Sequence, residues 1–483
     1  MNLSEIKSPL PSRVPLGLDK EEEEEKKEAE KVVSSEKKTE KKNLPKWMIG
    51  GGIAVVIIVI VLVIKMLGDG SVKSGKIVTL NYWGLWEEES VMAGVIADFE
   101  AKNPNIKINY SKNSYDNYRS RLAGRLKKEG GTEEVPDIFR IHASWLPMFS
   151  DYLAPIPKRV TDKIGMEEDF FEVYKRDLKK DGSFMAVPIM YDGLSLFYNK
   201  KLIEAAGVKL PESWLEFKST AEKLTVKDER GKIKVAGVAM GTTENVDHWS
   251  DIVGLMMKQN GADIKKQDVA FAEKLKTVLT FYTLFADGKT WDADLPNSTQ
   301  LFASGNLAFY FAPAWRVFNL GEMTPDLDYG IMKVPQLPIN TSGGEGLTDI
   351  HWASYWVEAV NNKSEKKEAA FTFLTYLASQ EGLDLMNKTA SQIRAFGEIS
   401  PRKSMAEALA SNPKIKAFVE AADQASCGFT SSRTFDDGLN DEMNTYFKNA
   451  INGVVINRAT VDKVLPDLLN GIAQTTSKYK LNN

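Results

Sequence analysis

The 483-residue chain has a single cysteine, Cys427. An exported domain with one cysteine has no intramolecular disulfide framework, so its fold must hold by burial alone. Histidine is scarce too: His142, His248 and His351 are the only three, and they lack metal-ligand spacing. There is no excess of positive charge, since 62 Lys and Arg against 66 Asp and Glu leave a net charge of −4. Nucleic acid is therefore not an expected partner, because phosphate binding needs a concentrated basic face. No Walker loop, HExxH helix or Ser nucleophile elbow is present, and there is no internal repeat. A zinc enzyme is not expected, and neither a metal nor a cofactor is assigned.

What the chain does have is distributed unevenly. Residues 1–46 contain Glu21–Glu25 and mixed Lys/Glu blocks with almost no aromatics, which predicts a disordered tail. Residues Trp47 to Leu67 then form one nearly unbroken apolar stretch, with no polar residue across Ile53–Ile64. About 20 residues of helix span a hydrocarbon core of roughly 30 Å, so 47–67 is expected to be a transmembrane helix. The stretch starts too late for a secretory signal, no Ala-x-Ala site follows it, and an uncleaved anchor is the reading. Lys27, Lys31, Lys37, Lys38, Lys41, Lys42 and Lys46 precede it, against Lys65, Lys73 and Lys76 after it. The positive-inside bias then puts the N-terminus in the cytoplasm and the rest outside, a single-pass protein of the cell membrane. Residues 68–75 read as a short linker.

From Lys76 the pattern becomes alternating strands and helices. Strands are predicted around Ile77–Tyr82, Asn105–Tyr110, Asp137–Ile141, Phe184–Ile189, Leu194–Tyr198, Val235–Ala239, Leu307–Phe311 and Tyr329–Val334. Helices are predicted at Ser90–Lys102, Tyr115–Lys128, Trp214–Leu224, Ser250–Gln259, Lys265–Ala286, Lys363–Ser379 and Glu442–Asn452. Alternation of this kind predicts an α/β domain with a mostly parallel sheet covered by helices.

Several segments carry a resemblance. They are Leu80–Gly84 leading to Ala97–Glu100 and Asn103–Lys107; Pro136–Phe139 with His142, Trp145 and Leu153–Ile156; and Val187-Pro188 with Tyr191–Lys200, Ala206–Val208 and Pro211–Trp214. Phe302–Ala308 with Pro313–Trp315 follows, and then, more loosely, Lys367–Gln380 and Ile399–Arg402. In this order they resemble the extracellular solute-binding proteins of ABC importers, specifically the maltose-binding-protein-like sugar-binding family. The resemblance implies a two-lobed periplasmic-binding-protein-like α/β fold, here preceded by the disordered tail and one transmembrane helix. One lobe would take 76–187 and 336–412, and the other 188–335 and 413–480. It also implies a carbohydrate ligand, a permease as partner and no catalytic residues. A monomer is expected.

Position along the predicted strands selects the candidate ligand-binding residues, because ligands of open α/β sheets sit where βα loops converge. Trp83, Trp86 and Glu87 follow the first strand, and Arg140, His142 and Trp145 lie at the end of another. Tyr191 and Asp192 lie at a lobe crossing, Trp315 and Arg316 follow the Leu307–Phe311 strand, and Trp249 and Trp352 complete the set. Aromatic rings cover the apolar face of a pyranose while carboxylates, amides and guanidinium groups hydrogen-bond its hydroxyls. By resemblance, Asp192 stands where the family has a sugar-binding carboxylate and Trp315 where it has a stacking ring. Turn capping for Asp192 and core packing for Trp315 are the competing roles. Ala143 and Arg140 depart from the maltose-type pattern, so maltose itself is not expected. Asp436 and Asp437, in a Gly/Ser-rich stretch, are further candidates. Two alternatives share these residue types: a membrane-tethered glycoside hydrolase, which needs two facing carboxyls, and a solute sensor built on the same fold.

Overall fold

Strand β1 (Val78–Gly84) runs through the middle of the first half of the molecule with Leu80 and Tyr82 fully buried. The computed structural model describes residues 76–128, 135–341, 344–431 and 438–481, with the side chains of 340–345 also outside it. The tail, the apolar run 47–67, the linker 68–75 and the pair Asp436 and Asp437 therefore lie outside the described residues. Among the described residues no helix is long and apolar enough to cross a membrane.

Two five-stranded sheets organise the domain. The first uses β1, β2 (Ile106–Lys112), β3 (Ile138–His142), β4 (Val187–Pro188) and β10 (Trp356–Val360), in the order β2-β1-β3-β10-β4. The second uses β5 (Leu194–Asn199), β6 (Val226–Lys227), β7 (Ile233–Val238), β8 (Leu307–Pro313) and β9 (Tyr329–Met332), in the order β9-β5-β8-β7-β6. The expected mostly parallel sheet is corrected here, because both sheets are mixed. Strand β1 is parallel to β2 and β3, but β10 runs antiparallel to β3 and β4. In the second sheet β8 is parallel to β7, while β5 runs antiparallel to β8 and β9.

The reversals have one cause. Strands β1, β3 and β4 run toward the second lobe, and β4 passes through Tyr191 and Asp192 into β5. A chain entering a lobe from its neighbour arrives at the shared end of the sheet and must run away from it. Strand β5 is the first element after one crossing, and β10 is the first long strand after the return from β9. The C-terminal ends of β1, β3 and β8 consequently meet the crossings in one place.

Helices close the outer faces with local signals that set their ends. Ser213 and Glu216 form a reciprocal capping box on helix Trp214–Leu224, an arrangement that satisfies two otherwise orphaned backbone donors. The predicted helix at Lys265 begins instead at Val269, where the Asp268 side chain caps it. The one predicted at Tyr115 begins at Tyr118, because Asn117 takes a left-handed conformation (φ 53°). The strand expected over Phe184–Ile189 divides: Ser183–Phe184 pairs with Lys179–Lys180, and only Val187–Pro188 joins the sheet. The long C-terminal helix Val461–Lys478 packs against helix Leu439–Val455.

Candidate ligand-binding cleft

Each sheet presents its own set of side chains at the shared end. On the first lobe an aromatic group surrounds Trp356, the first residue of β10 and a partner of His142 across the strands. Trp356 meets Trp86 at 5.4 Å, His142 at 5.2 Å and Trp145 at 5.2 Å between ring centroids, each edge to face. Edge-to-face contacts place ring edges against π faces and fix the relative tilt of each ring. Trp86 is half-buried and stacks on Tyr115 (5.9 Å, 24°), which is 49% exposed.

The second lobe contributes a looser, polar set. Trp315 immediately precedes helix Arg316–Met323 and is half-buried, with the Arg316 guanidinium 4.2 Å from its ring centre and the His248 ring edge-on at 6.0 Å. Arg316 reaches His248 Nε2 at 3.3 Å, Asn319 Oδ1 at 3.3 Å and Asp247 Oδ2 at 3.4 Å. Burial pushes the Asp247 carboxyl up, but hydrogen bonds from Asn297 and Thr299, with His248 and Arg316 nearby, hold it below its ordinary value.

The crossings tie the two sets together. Asp192 Oδ1 accepts from the Gly193 N–H (2.7 Å) and from the Ala314 N–H at the end of β8 (2.8 Å). The Asp192 carbonyl accepts from the Ser354 N–H, and the Ser354 hydroxyl lies 3.1 Å from His142 Nε2. Tyr191 pairs with Ile399, and its ring packs on Phe171 at 5.3 Å. Trp352 donates its indole N–H to the buried Asp251 (2.8 Å), and its ring fills the space above Gly254 and Gly428. A Cβ at either glycine would approach that ring to 2.3–2.4 Å, so both positions need the absence of a side chain.

The expected site residues thus divide. Trp86, Asp192, Trp249, Trp315 and Arg316 keep accessible surface at or near the shared end. Trp83 also keeps surface, but lines an open hollow of about 480 Å³ with Asn113, Arg121 and Arg125. Glu87, Arg140, His142, Trp145, Tyr191 and Trp352 are at most 2% exposed. Their burial has particular causes: Glu87 pairs with Arg140, which also pairs with Glu358, His142 bonds to Ser144 and Ser354, and the three rings fill the core under the crossings.

The structure adds Thr430, Asn440 and Asn444, which strand-end position did not single out, beside the expected Trp145 and Trp86. Trp145 Nε1, Thr430 Oγ1, Asn440 Oδ1 and Asn444 Oδ1 are all buried without a hydrogen-bond partner among the described residues, as is Trp86 Nε1. Several are joined through one junction: Asn440 Nδ2 donates to Ser144 Oγ (3.0 Å), beside Trp145, and to the Phe429 carbonyl (3.0 Å). Asn444 Nδ2 donates to the Thr430 carbonyl (2.8 Å). Buried polar atoms are otherwise almost always paired, and an unpaired one costs about 1–3 kcal/mol. A group of unpaired donors and acceptors is therefore matched to a ligand that is both, as a hydroxyl is.

Glu398 is the other addition. It lies on a loop from the first lobe, paired with Arg394, whose guanidinium sits 5.4 Å from the Phe318 ring of the second. Burial pushes its carboxyl up to about 7; Arg394 opposes this, and Glu87 and Asp192 reinforce it. Among the described residues no group of His, Cys, Asp or Glu is arranged to hold a metal ion.

Comparison with known proteins agrees with this architecture. The sugar-binding protein MalE from Xanthomonas citri superposes with a TM-score of 0.66 at 19% identity, over 83% of this chain and 98% of that one. A putative binding protein of Brucella abortus is 25% identical over 291 residues, 59% of this chain and 67% of that protein. The multiple sugar-binding protein of Streptococcus mutans is 23% identical over 319 residues, 63% of this chain and 72% of its own. The family model for bacterial extracellular solute-binding proteins matches residues 85–383, more than half of the chain. With this match and its two-lobed α/β fold, the chain belongs to the bacterial extracellular solute-binding protein family.

Proposed function

We propose that this protein captures a carbohydrate between its two lobes and delivers it, unaltered, to an ABC permease. The observation that carries this reading is the junction at which Trp145 Nε1, Asn440 Oδ1 and Asn444 Oδ1 are buried and unpaired among the described residues, with the Trp145 ring packed on Trp356. Sugars supply both halves of the complement, hydroxyls for the polar atoms and C–H faces for the rings. The names of the Streptococcus and Xanthomonas relatives, both sugar-binding proteins, support the same class of ligand. The lobes would comprise 76–187 with 336–412, and 188–335 with 413–480. Contacts from both would favour closure, since only differential affinity shifts such an equilibrium.

The apolar run 47–67 is read as the anchor, holding the receptor close to its permease and raising its effective concentration there. Catalysis is not part of this reading. One oxygen of Asp192 is occupied by two backbone amides, which suits a carboxylate that organises a crossing better than one that transfers protons. Deleting residues 1–42 separates transport from sensing: uptake survives if the tail is only a solvated leader.

The test is a thermal-shift screen of the purified full-length chain against mono- and oligosaccharides. A ligand at 100 times its dissociation constant stabilises the native state by about 2.7 kcal/mol. Compaction in X-ray scattering should accompany the shift. A panel in which no saccharide produces either response defeats the carbohydrate assignment.

A further inference from the structure

Three charged side chains are buried together behind the aromatic wall of the first lobe. Arg140 lies in β3, Glu358 faces it in register on β10, and Glu87 sits in the turn after β1; none is more than 1% exposed. Arg140 Nε donates to Glu358 Oε1 at 2.7 Å, Nη2 lies 2.6 Å from the same oxygen, and Nη1 pairs with Glu87. A buried ion group of this kind is poor evidence for stability, because apolar replacements of similar volume are often neutral or stabilising. Its presence calls for another account.

That account lies in what the group holds. Glu87 directly follows Trp86, and its carbonyl accepts from Tyr110 Oη at 2.7 Å. Three residues earlier, a Cβ on Gly84 would meet the Tyr110 hydroxyl at 2.2 Å, so the turn lies flat against that ring. Backbone and side chain of Glu87 are both fixed, which sets the direction of Trp86 between Tyr115 and Trp356. The Trp86 indole N–H is buried and unpaired among the described residues.

We propose that Glu87, Arg140 and Glu358 are positioning residues, which do not touch the ligand but aim the Trp86 ring and its free N–H at a ligand hydroxyl. The proposal rests on the reading of the junction as a site for a polyhydroxylated ligand. Two carboxylates share one guanidinium, and the groups facing Glu358 are Arg140, Glu87 and the hydroxyls of Tyr82, Tyr110 and Tyr118. Burial raises the Glu358 carboxyl above its ordinary value, Arg140 opposes this, and Glu87 adds to it.

The experiment uses the full-length chain labelled with 5-fluorotryptophan, with the Trp86 fluorine resonance assigned from Trp86→Phe. Glu358→Gln, which keeps an amide oxygen to accept from Arg140 and acts on Trp86 only through that guanidinium, should move the resonance less than Glu87→Gln does. Glu87→Gln should shift or broaden it and weaken binding of a maltotriose probe about tenfold, through lost preorganisation. The combined variant Glu87→Leu, Arg140→Met, Glu358→Leu should stay folded yet lose the native resonance position. An unmoved Trp86 signal in both Glu87→Gln and the combined variant overturns the proposal, and if the latter fails to fold the Glu87→Gln result decides. If the resonance responds as expected but neither maltotriose nor arabinotriose binds any form, the positioning stands and the carbohydrate reading is what fails.

Discussion

Two arginines near the cleft show how the lobes divide their work. Arg140, in the first lobe, has no exposed side-chain surface and sits between two carboxylates at short range. Arg316, in the second, keeps 18% of its side-chain surface, lies over Trp315, and reaches His248, Asn319 and Asp247 only at 3.3–3.4 Å. The first is held in a single geometry, whereas the second can exchange partners at low cost. The two sides thus differ in rigidity, one fixed by a buried ion group and the other held by long, partly solvated pairings.

The largest effect should come from breaking the rigid side. Arg140→Met leaves Glu87 and Glu358 buried without their cation and should cost about 3–5 kcal/mol in urea unfolding. A loss no larger than that of an exposed substitution would erase the contrast between the lobes. Next is Glu398, whose folded carboxyl titrates near 7 against an ordinary 4.5. Because the fold prefers its protonated form, its contribution is fully present below about pH 4.5 and is lost as pH rises through about 7. Glu398→Gln should remove that decline, at most about 3 kcal/mol, from the difference between the two stability–pH curves. Parallel curves would contradict the assignment.

Trp315→Ala should cost about 2 kcal/mol of ligand binding while leaving the unfolding midpoint nearly unchanged, as befits a half-buried ring at a contact surface. Calorimetric titration alongside thermal unfolding separates the two quantities, and a large fall in stability without loss of affinity would move Trp315 to the core. The smallest stability change is expected for Arg316→Met, below about 1 kcal/mol because its pairings are long and partly solvated. Its effect should instead appear in affinity and in the salt dependence of binding.

Much of the fold was legible from periodicity. Val78–Gly84, Ile106–Lys112 and Leu307–Pro313 form close to where alternation and β-branched runs put them, and Trp249–Gln259 and Trp214–Leu224 follow helical spacing, the latter capped by Ser213. Trp356–Val360 was not anticipated. It is buried on both faces and shows no alternation, and Glu358 meets Arg140 across 218 residues of chain. Tryptophans were ambiguous for a related reason, since an indole near a strand end looks the same in sequence whether it keeps accessible surface, as Trp86 does, or is buried, as Trp352 is. Asn440 and Asn444 carried no signal at all, because their burial and their pairing with Ser144 and with the Phe429 and Thr430 carbonyls arise only in the packed fold.

The chain's own order of residues settled the α/β class, the position of the apolar run, the lack of disulfides and the aromatic-rich strand ends, because each depends on neighbours a few positions apart. Only the tertiary structure decided which of those aromatics and charges stay accessible, how the crossing strands reverse, and which polar atoms remain unpaired. Those properties arise from contacts between segments hundreds of residues apart, and burial and pairing are properties of the packed whole.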